Sequence, residues 1–290
     1  MPDWIAESLS QIAERRNPDG GWPYFNAGNS AIEPTALAVA ALHAHDRAPH
    51  VQADGLGFVA ALQGTEGGIR PQPGQPEPTT LSAVAAIVMS AHESSRAAAT
   101  RVADYLLSYD PETSPRSEVI DNDTTLRGFA WLPQTFSWVE PTAYGMLLFH
   151  RLGRADHPRI AEARRVLLDR PVRTGGWNYG NTAAFGTPLE AEPMPTALAL
   201  LALWDDTSSD AVRDGVRYLQ RYLDHLPSVL SLAWTHTALR ARGENAGPPE
   251  QFGELLALSP RSAGSPWHRA AALLAVAPLE RNPFVIRSAS

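Results

Sequence analysis

Gly175-Gly176-Trp177-Asn178-Tyr179-Gly180, followed after a loop by Pro195-Thr196-Ala197-Leu198-Ala199-Leu200-Leu201-Ala202-Leu203, decides how this 290-residue chain is read. The glycines mark a tight turn that delivers an aromatic side chain. The proline then opens a helix, because its missing N–H had no partner in the first turn anyway. The run behind it is apolar nearly all round, so that helix belongs inside.

The pattern recurs, and recurrence at this period signals a repeat architecture. Gly20-Gly21-Trp22-Pro23-Tyr24 precedes Glu33-Pro34-Thr35-Ala36-Leu37, and Gly67-Gly68-Ile69 precedes Glu77-Pro78-Thr79-Thr80-Leu81. Gly128-Phe129-Ala130-Trp131 precedes Glu140-Pro141-Thr142-Ala143. Two weaker copies begin at Pro227-Ser228 and Pro266-Trp267, keeping the proline and the apolar run but not the glycine–tryptophan element. Between the copies lie segments with a single apolar stripe and an arginine- and acid-rich face: residues 94–109, 157–169 and 209–223. These read as outer helices. The expected architecture is all-α: a single α6/α6 toroid of six helical-hairpin repeats, its inner helices lining a central cavity. An open solenoid is the alternative. One domain is expected over residues 1–290, with core repeats from about 4 to 277 and a C-terminal tail at 278–290.

Composition removes several chemistries. Cysteine is absent, and all 24 basic residues are arginine. That excludes a thiol nucleophile, a disulfide and a cysteine metal ligand, and also lysine Schiff-base and P-loop chemistry. Codon usage in a GC-rich genome accounts for the missing lysine. The net charge of −7 argues against nucleic acid as a partner. No stretch approaches the roughly 20 apolar residues of a membrane span, and the N-terminus reads as an amphipathic helix without a signal-peptide layout. A cytoplasmic protein is expected.

The glycine–tryptophan element followed by the Pro-Thr-Ala-Leu inner run resembles the terpene cyclase and protein prenyltransferase α/α-toroid superfamily, including the squalene–hopene cyclases. Phe58-Val59-Ala60-Ala61-Leu62-Gln63 with Gly67-Gly68 resembles their aromatic–leucine–glutamine–glycine repeat, with Ile69 where tryptophan is usual. The resemblance implies a greasy cavity for an isoprenoid and isomerase or lyase chemistry, typically in bacterial secondary metabolism. The prenyltransferase branch holds zinc with an aspartate, a cysteine and a histidine, and this chain has no cysteine. Proton-initiated cyclases use Asp-x-Asp-Asp-Thr-Ala, whose middle aspartate protonates an alkene. Laid on that motif, Trp138-Val139-Glu140-Pro141-Thr142-Ala143 puts Glu140 on the proton donor, Trp138 on the first aspartate and Pro141 on the third. Asp121-Asn122-Asp123-Thr124-Thr125 is a degraded form of the same motif in the long loop before the third inner helix.

The candidate site follows from these positions. Glu33, Glu77 and Glu140 directly precede the prolines, and Glu192 lies three residues before Pro195, so all are expected at one mouth of the toroid. Two readings stand side by side: carboxylates that complement the helix dipoles, or a general acid, Glu140, whose burial raises its pKa. Asp121 and Asp123 are second candidates for the acid or for cation ligands. Aromatic side chains stabilise cations. Trp138, Tyr144, Phe149 and Trp234, with His236 beside the last, are the expected cavity wall, while Trp22, Trp131 and Trp177 recur and read as packing. Phe185 belongs to the same group of loop aromatics. No metal site and no cofactor are expected. The leading expectation is an isoprenoid-handling enzyme that cyclises or isomerises an apolar polyene by proton donation. The alternatives are a non-catalytic toroid that binds an apolar ligand or a partner protein, and a carbohydrate-active α6/α6 barrel pairing two carboxylates with sugar-stacking aromatics.

Overall fold

The computed structural model describes residues 3–116, 120–184, 186–225 and 228–287. Phe185 and Pro227 lie outside them. The outer helices are α1 (Asp3–Glu14), α3 (Pro49–Ala61), α5 (Arg96–Leu107), α7 (Pro158–Asp169), α9 (Asp210–Tyr222) and α11 (Glu250–Leu258). The inner helices are α2 (Ile32–Ala44), α4 (Leu81–Met89), α6 (Val139–Arg151), α8 (Pro193–Ala202), α10 (Val229–Ala241) and α13 (Pro266–Val276), the last preceded by the single turn α12 (Pro260–Ala263). Each inner helix packs on the next, and α13 returns to α2, so the ring of six closes. The chain is an α/α toroid. A two-residue ladder between Ala183–Ala184 and Thr187–Pro188 is its strand content among the described residues.

Burial explains the two helix types. In α2 every residue except Glu33 and His43 is buried, which is why it is apolar all round. In α9 the buried residues are Val212, Gly215 and Leu219, a single stripe, and the rest meets water.

One hydrogen bond sets the register of each of the first four repeats. The backbone N–H of Trp22 donates to Thr35 Oγ1 at 2.9 Å. Ile69 does the same to Ser82 Oγ at 2.9 Å, Phe129 to Thr142 Oγ1 at 3.1 Å, and Trp177 to Thr196 Oγ1 at 2.8 Å. This bond corrects the second repeat. The sequence places the opening of that helix at Pro78, but α4 begins at Leu81 and the bonded hydroxyl is Ser82. Counted back from that hydroxyl, Thr80 falls where Glu33 and Glu140 stand, although its N–H makes the inter-repeat bond that Ile32 and Val139 make one residue earlier. Its N–H is committed to Trp131 O at 3.0 Å and its hydroxyl to Ala130 O.

The inner helices all run the same way. At their N-termini, Ile32, Thr80 and Val139 donate N–H bonds to Pro71 O, Trp131 O and Tyr179 O of the next repeat, at 2.9, 3.0 and 2.9 Å. Ser265 Oγ closes the circle on Tyr24 O at 2.6 Å. At the other end, Arg242 donates to Leu200 O and Leu203 O of α8, at 2.8 and 2.6 Å, and Arg96 reaches Ser90 O and Arg151 O at 3.0 and 3.2 Å. Guanidinium groups thus satisfy carbonyls that a helix C-terminus leaves open.

Residues 278–287 of the segment read as a tail come back to the ring. Asn282 Nδ2 donates to Leu274 O at 3.0 Å, and Phe284 is buried with its ring 5.2 Å from that of Trp234. The space left between Leu37, Trp234, Leu274 and Phe284 is about 10 Å³, too little for a ligand.

The register bond carries measurable stability. Thr196→Val keeps the side chain's bulk but leaves the buried Trp177 N–H unpaired, and should cost about 1–3 kcal/mol in urea unfolding, while Thr196→Ser stays close to wild type. Gly215→Ala would set a methyl 2.6 Å from the Trp177 ring. It should cost about 1–3 kcal/mol by overpacking.

Candidate functional site

Glu33 and Glu140 are each the second residue of an inner helix, on α2 and α6, and both face the N-terminal mouth of the ring. Glu33 Oε2 accepts a 2.8 Å hydrogen bond from the Tyr24 hydroxyl. Burial pushes the Glu33 carboxyl up, and the Tyr24 and Trp267 contacts resist that shift. Tyr24 and Trp267 meet edge to face, centroids 5.0 Å apart.

Glu140 is more extreme. It is 4% exposed, and its Oε1 is buried without a hydrogen-bond partner. Burial, and next the Glu33 charge, push its pKa from 4.5 up to about 7. Tyr144 lies one helical turn further along α6, on the same face. Burial holds its hydroxyl well above the ordinary tyrosine value, and the Glu140, Glu33 and Tyr24 charges add to the effect. Its ring sits 6.4 Å from Trp234, which in turn meets Phe284. The order from mouth to axis is thus Tyr24 and Trp267, Glu33 and Glu140, Tyr144, Trp234, Phe284. Beside the mouth, Trp138, Tyr179, Glu190 and Glu192 border a cleft of about 340 Å³.

The other expected residues fall elsewhere. Glu77 is exposed on the loop before α4, displaced by the register shift described above, and Thr80 occupies its expected place. Glu192 is an exposed N-cap of α8 on the mouth cleft. Asp121 is exposed. Asp123 pairs with Arg116 and accepts from Thr125 N and Oγ1 at 3.0 and 2.6 Å, contacts that hold its carboxyl far below the usual range. A carboxylate held ionised in this way has no proton to give near neutral pH. Phe149 packs outward against Phe129 and His157, with Arg154 over its ring. His236 leans on Phe252 of α11, and its Nδ1 lies 3.0 Å from Ala275 O. Burial pushes its pKa down to about 4, so the ring is neutral. Among the described residues, no cluster of three or more histidine, aspartate or glutamate side chains could hold a metal.

Tyr24 was not singled out from the sequence as a site residue, although a signal exists. Tyr24 and Tyr179 each stand two residues after their repeat's tryptophan, where the chain passes over the neighbouring inner helix.

No family model and no curated protein matches the chain. Solved structures do. A type II terpene cyclase from Scytonema, MstE, matches at 16% identity, covering 93% of this chain and 75% of its own, with a TM-score of 0.58. An α-amylase from Clostridium perfringens matches at 10% identity, over 94% and 96% of the two chains, with a TM-score of 0.61. An α-1,6-mannanase from Salegentibacter matches at 12% identity, over 94% and 98%, with a TM-score of 0.62. At these identities the likeness is one of fold, and that fold is shared by cyclases and glycosidases.

The Glu140 environment has a thermodynamic signature. The folded chain keeps this proton to about pH 7, whereas an ordinary glutamate releases it near 4.5. Between those values the folded state binds more protons than the unfolded one, so stability falls as pH rises. One pH unit of separation corresponds to about 1.4 kcal/mol, so the loss approaches about 3 kcal/mol. Glu140→Gln removes the titration. Its stability relative to wild type should therefore rise by up to about 3 kcal/mol from pH 4.5 to pH 8, read from urea unfolding at each pH. A pH-independent difference would mean that Glu140 ionises normally.

Proposed function

We propose that the chain is an enzyme of the proton-initiated terpene-cyclase type, with Glu140 as the general acid. One observation carries the proposal: a buried carboxyl that keeps its proton to about pH 7, with an oxygen that no protein group satisfies. A proton donor works best with a pKa near the working pH. Glu140 would pass its proton to a terminal alkene carbon, forming a C–H bond and leaving a tertiary cation. Neighbouring π bonds of the substrate would close on that cation, and a final deprotonation restores the proton balance. Tyr144 and Trp234 supply aromatic surface along the path. Burial keeps Glu140 protonated, and Glu33, held by Tyr24, adds to the effect. The substrate is an apolar polyene, and it reaches the axis only if the Phe284 arm withdraws from Trp234.

A second reading is a glycosidase. It is favoured by the packed axis, by the pair Glu33 and Glu140, and by the cleft beside half-exposed Tyr179 at the mouth. Substrate choice separates the two. The Scytonema cyclase has been seen with geranylgeranyl dihydroxybenzoate. Incubation with that compound and other geranylgeranyl chains should give cyclised product, and Glu140→Gln should lower the rate by about 10²–10⁴-fold. Hydrolysis of α-linked oligosaccharides, lost in both Glu33→Gln and Glu140→Gln, would instead establish the second reading. Ligand binding without turnover of either class would make the toroid a binding module.

A further inference from the structure

A second cleft of about 200 Å³, which shares Trp138 and Asn181 with the one beside the mouth, opens between the loop before α6 and the end of α7, lined also by Phe136, Asn122, Glu112 and Arg170 among others. Arg170 follows the last residue of α7 and is only 5% exposed. Its Nη1 donates to Ser137 O at 2.5 Å, while its Nε is buried with no partner. Two acids lie near enough to favour its charge, Asp169 and Asp123, but both are engaged elsewhere. Asp123 pairs with Arg116, and Asp169 Oδ2 accepts from Asp123 N at 2.8 Å. Among the described residues, no carboxylate forms an ion pair with Arg170. The charges of Asp169 and Asp123 act on Arg170 only at longer range, and a buried guanidinium N–H left without an acceptor is expensive, because its hydration is lost and no hydrogen bond replaces it.

Ile120, Leu126, Phe136 and Trp138 give the cleft an apolar side among its polar lining residues. Phe136 at the rim is 45% exposed and Ile120 is 40% exposed, large apolar side chains left open to water. Drug-sized molecules need roughly 300–1,000 Å³, so this space suits a compound of one ring.

We propose that this cleft binds a small aromatic carboxylate, its anion held by Arg170 and its ring set between Phe136 and Trp138. Guanidinium matches a carboxylate through parallel N–H donors, and Arg170 lines the cleft with its hydrogen-bonding capacity only partly used. Glu112 also lines the cleft, and its carboxylate disfavours a second negative charge on the ligand, which selects a monoanion over phosphate. The inference does not rest on Glu140 as a proton donor.

Titration of the full-length chain with phenylacetate, followed by calorimetry and by tryptophan fluorescence, tests it. Saturable binding is expected, at least tenfold tighter than that of neutral phenylacetamide and of inorganic phosphate. Arg170→Gln should weaken phenylacetate at least tenfold, and Phe136→Ala several-fold, whereas Glu140→Gln leaves the affinity unchanged. Should Arg170→Gln fail to fold through loss of its Ser137 contact, the acid–amide comparison on the wild type and the rim variant decide. Equal affinity for acid and amide, equal affinity for phosphate, or no saturable binding overturns the proposal.

Discussion

Each of the first four repeats is fixed by a backbone N–H that has to find a hydroxyl inside the core. At Trp22 this donor meets Thr35, the indole N–H meets Ile12 O at 2.8 Å on the preceding outer helix, and the ring fills the notch left by Gly55 on the following one. Trp177 repeats the arrangement with Thr196, Leu167 O at 2.7 Å and Gly215. One side chain thereby ties two outer helices to the inner helix between them. Unpaired, the buried donor would cost about 1–3 kcal/mol, comparable with a core side chain. The position two residues before each hydroxyl is carried to the mouth of the ring as a consequence. That position is Glu33, Thr80, Glu140 and Met194 in turn. The packing of the repeats therefore decides which side chains the mouth displays.

Six inner helices running the same way align their dipoles, and the two ends of the ring differ chemically. The N-terminal mouth carries carboxylates, and the C-terminal end carries arginines bonded to carbonyls. Dipole complementarity alone would favour ionised glutamates, by about 0.3–1 kcal/mol each. Glu140 goes the other way. No side chain caps α6, Glu140 Oε1 has no donor, and burial raises its pKa by an amount worth about 3 kcal/mol. Desolvation exceeds the dipole several-fold here. Capping accounts for exposed Glu192 at the start of α8 and does not account for Glu140.

The sequence shows the toroid because the inner runs and the outer stripes differ in period, and that difference is a direct record of burial on two sides or one. It shows Glu33 and Glu140 because the glutamate–proline pair and the helix start coincide there. In the second repeat they do not. Glu77-Pro78 imitates the pattern, but the hydroxyl thirteen residues after the turn residue is Ser82, and a hydrogen bond outranks a resemblance of dipeptides. Counting from the turn residue to the hydroxyl would have placed Thr80 correctly. The return of Phe284 to the axis leaves no such trace. A single apolar residue in an irregular segment has no periodicity, and its burial depends on a ring assembled from distant repeats. Asp123 resembles a catalytic acid in type and spacing, yet Arg116, seven residues away, fixes it as an anion.

The absence of lysine also looks different beside the C-terminal ends of the inner helices. Arg242 bonds three carbonyls, those of Leu200, Leu203 and Asp206, at 2.6–2.8 Å, and Arg240 reaches Ala277 O at 2.9 Å. A planar fork can span neighbouring carbonyls of two chain segments while its stem packs against apolar surface. An ammonium group is a compact, strongly hydrated charge and would lose more on entering these half-buried positions. Genome composition is sufficient reason for an all-arginine chain. The fold has nevertheless come to use the guanidinium geometry where helix ends are crowded together, so replacement of these arginines by lysine would not be conservative even though the charge is kept.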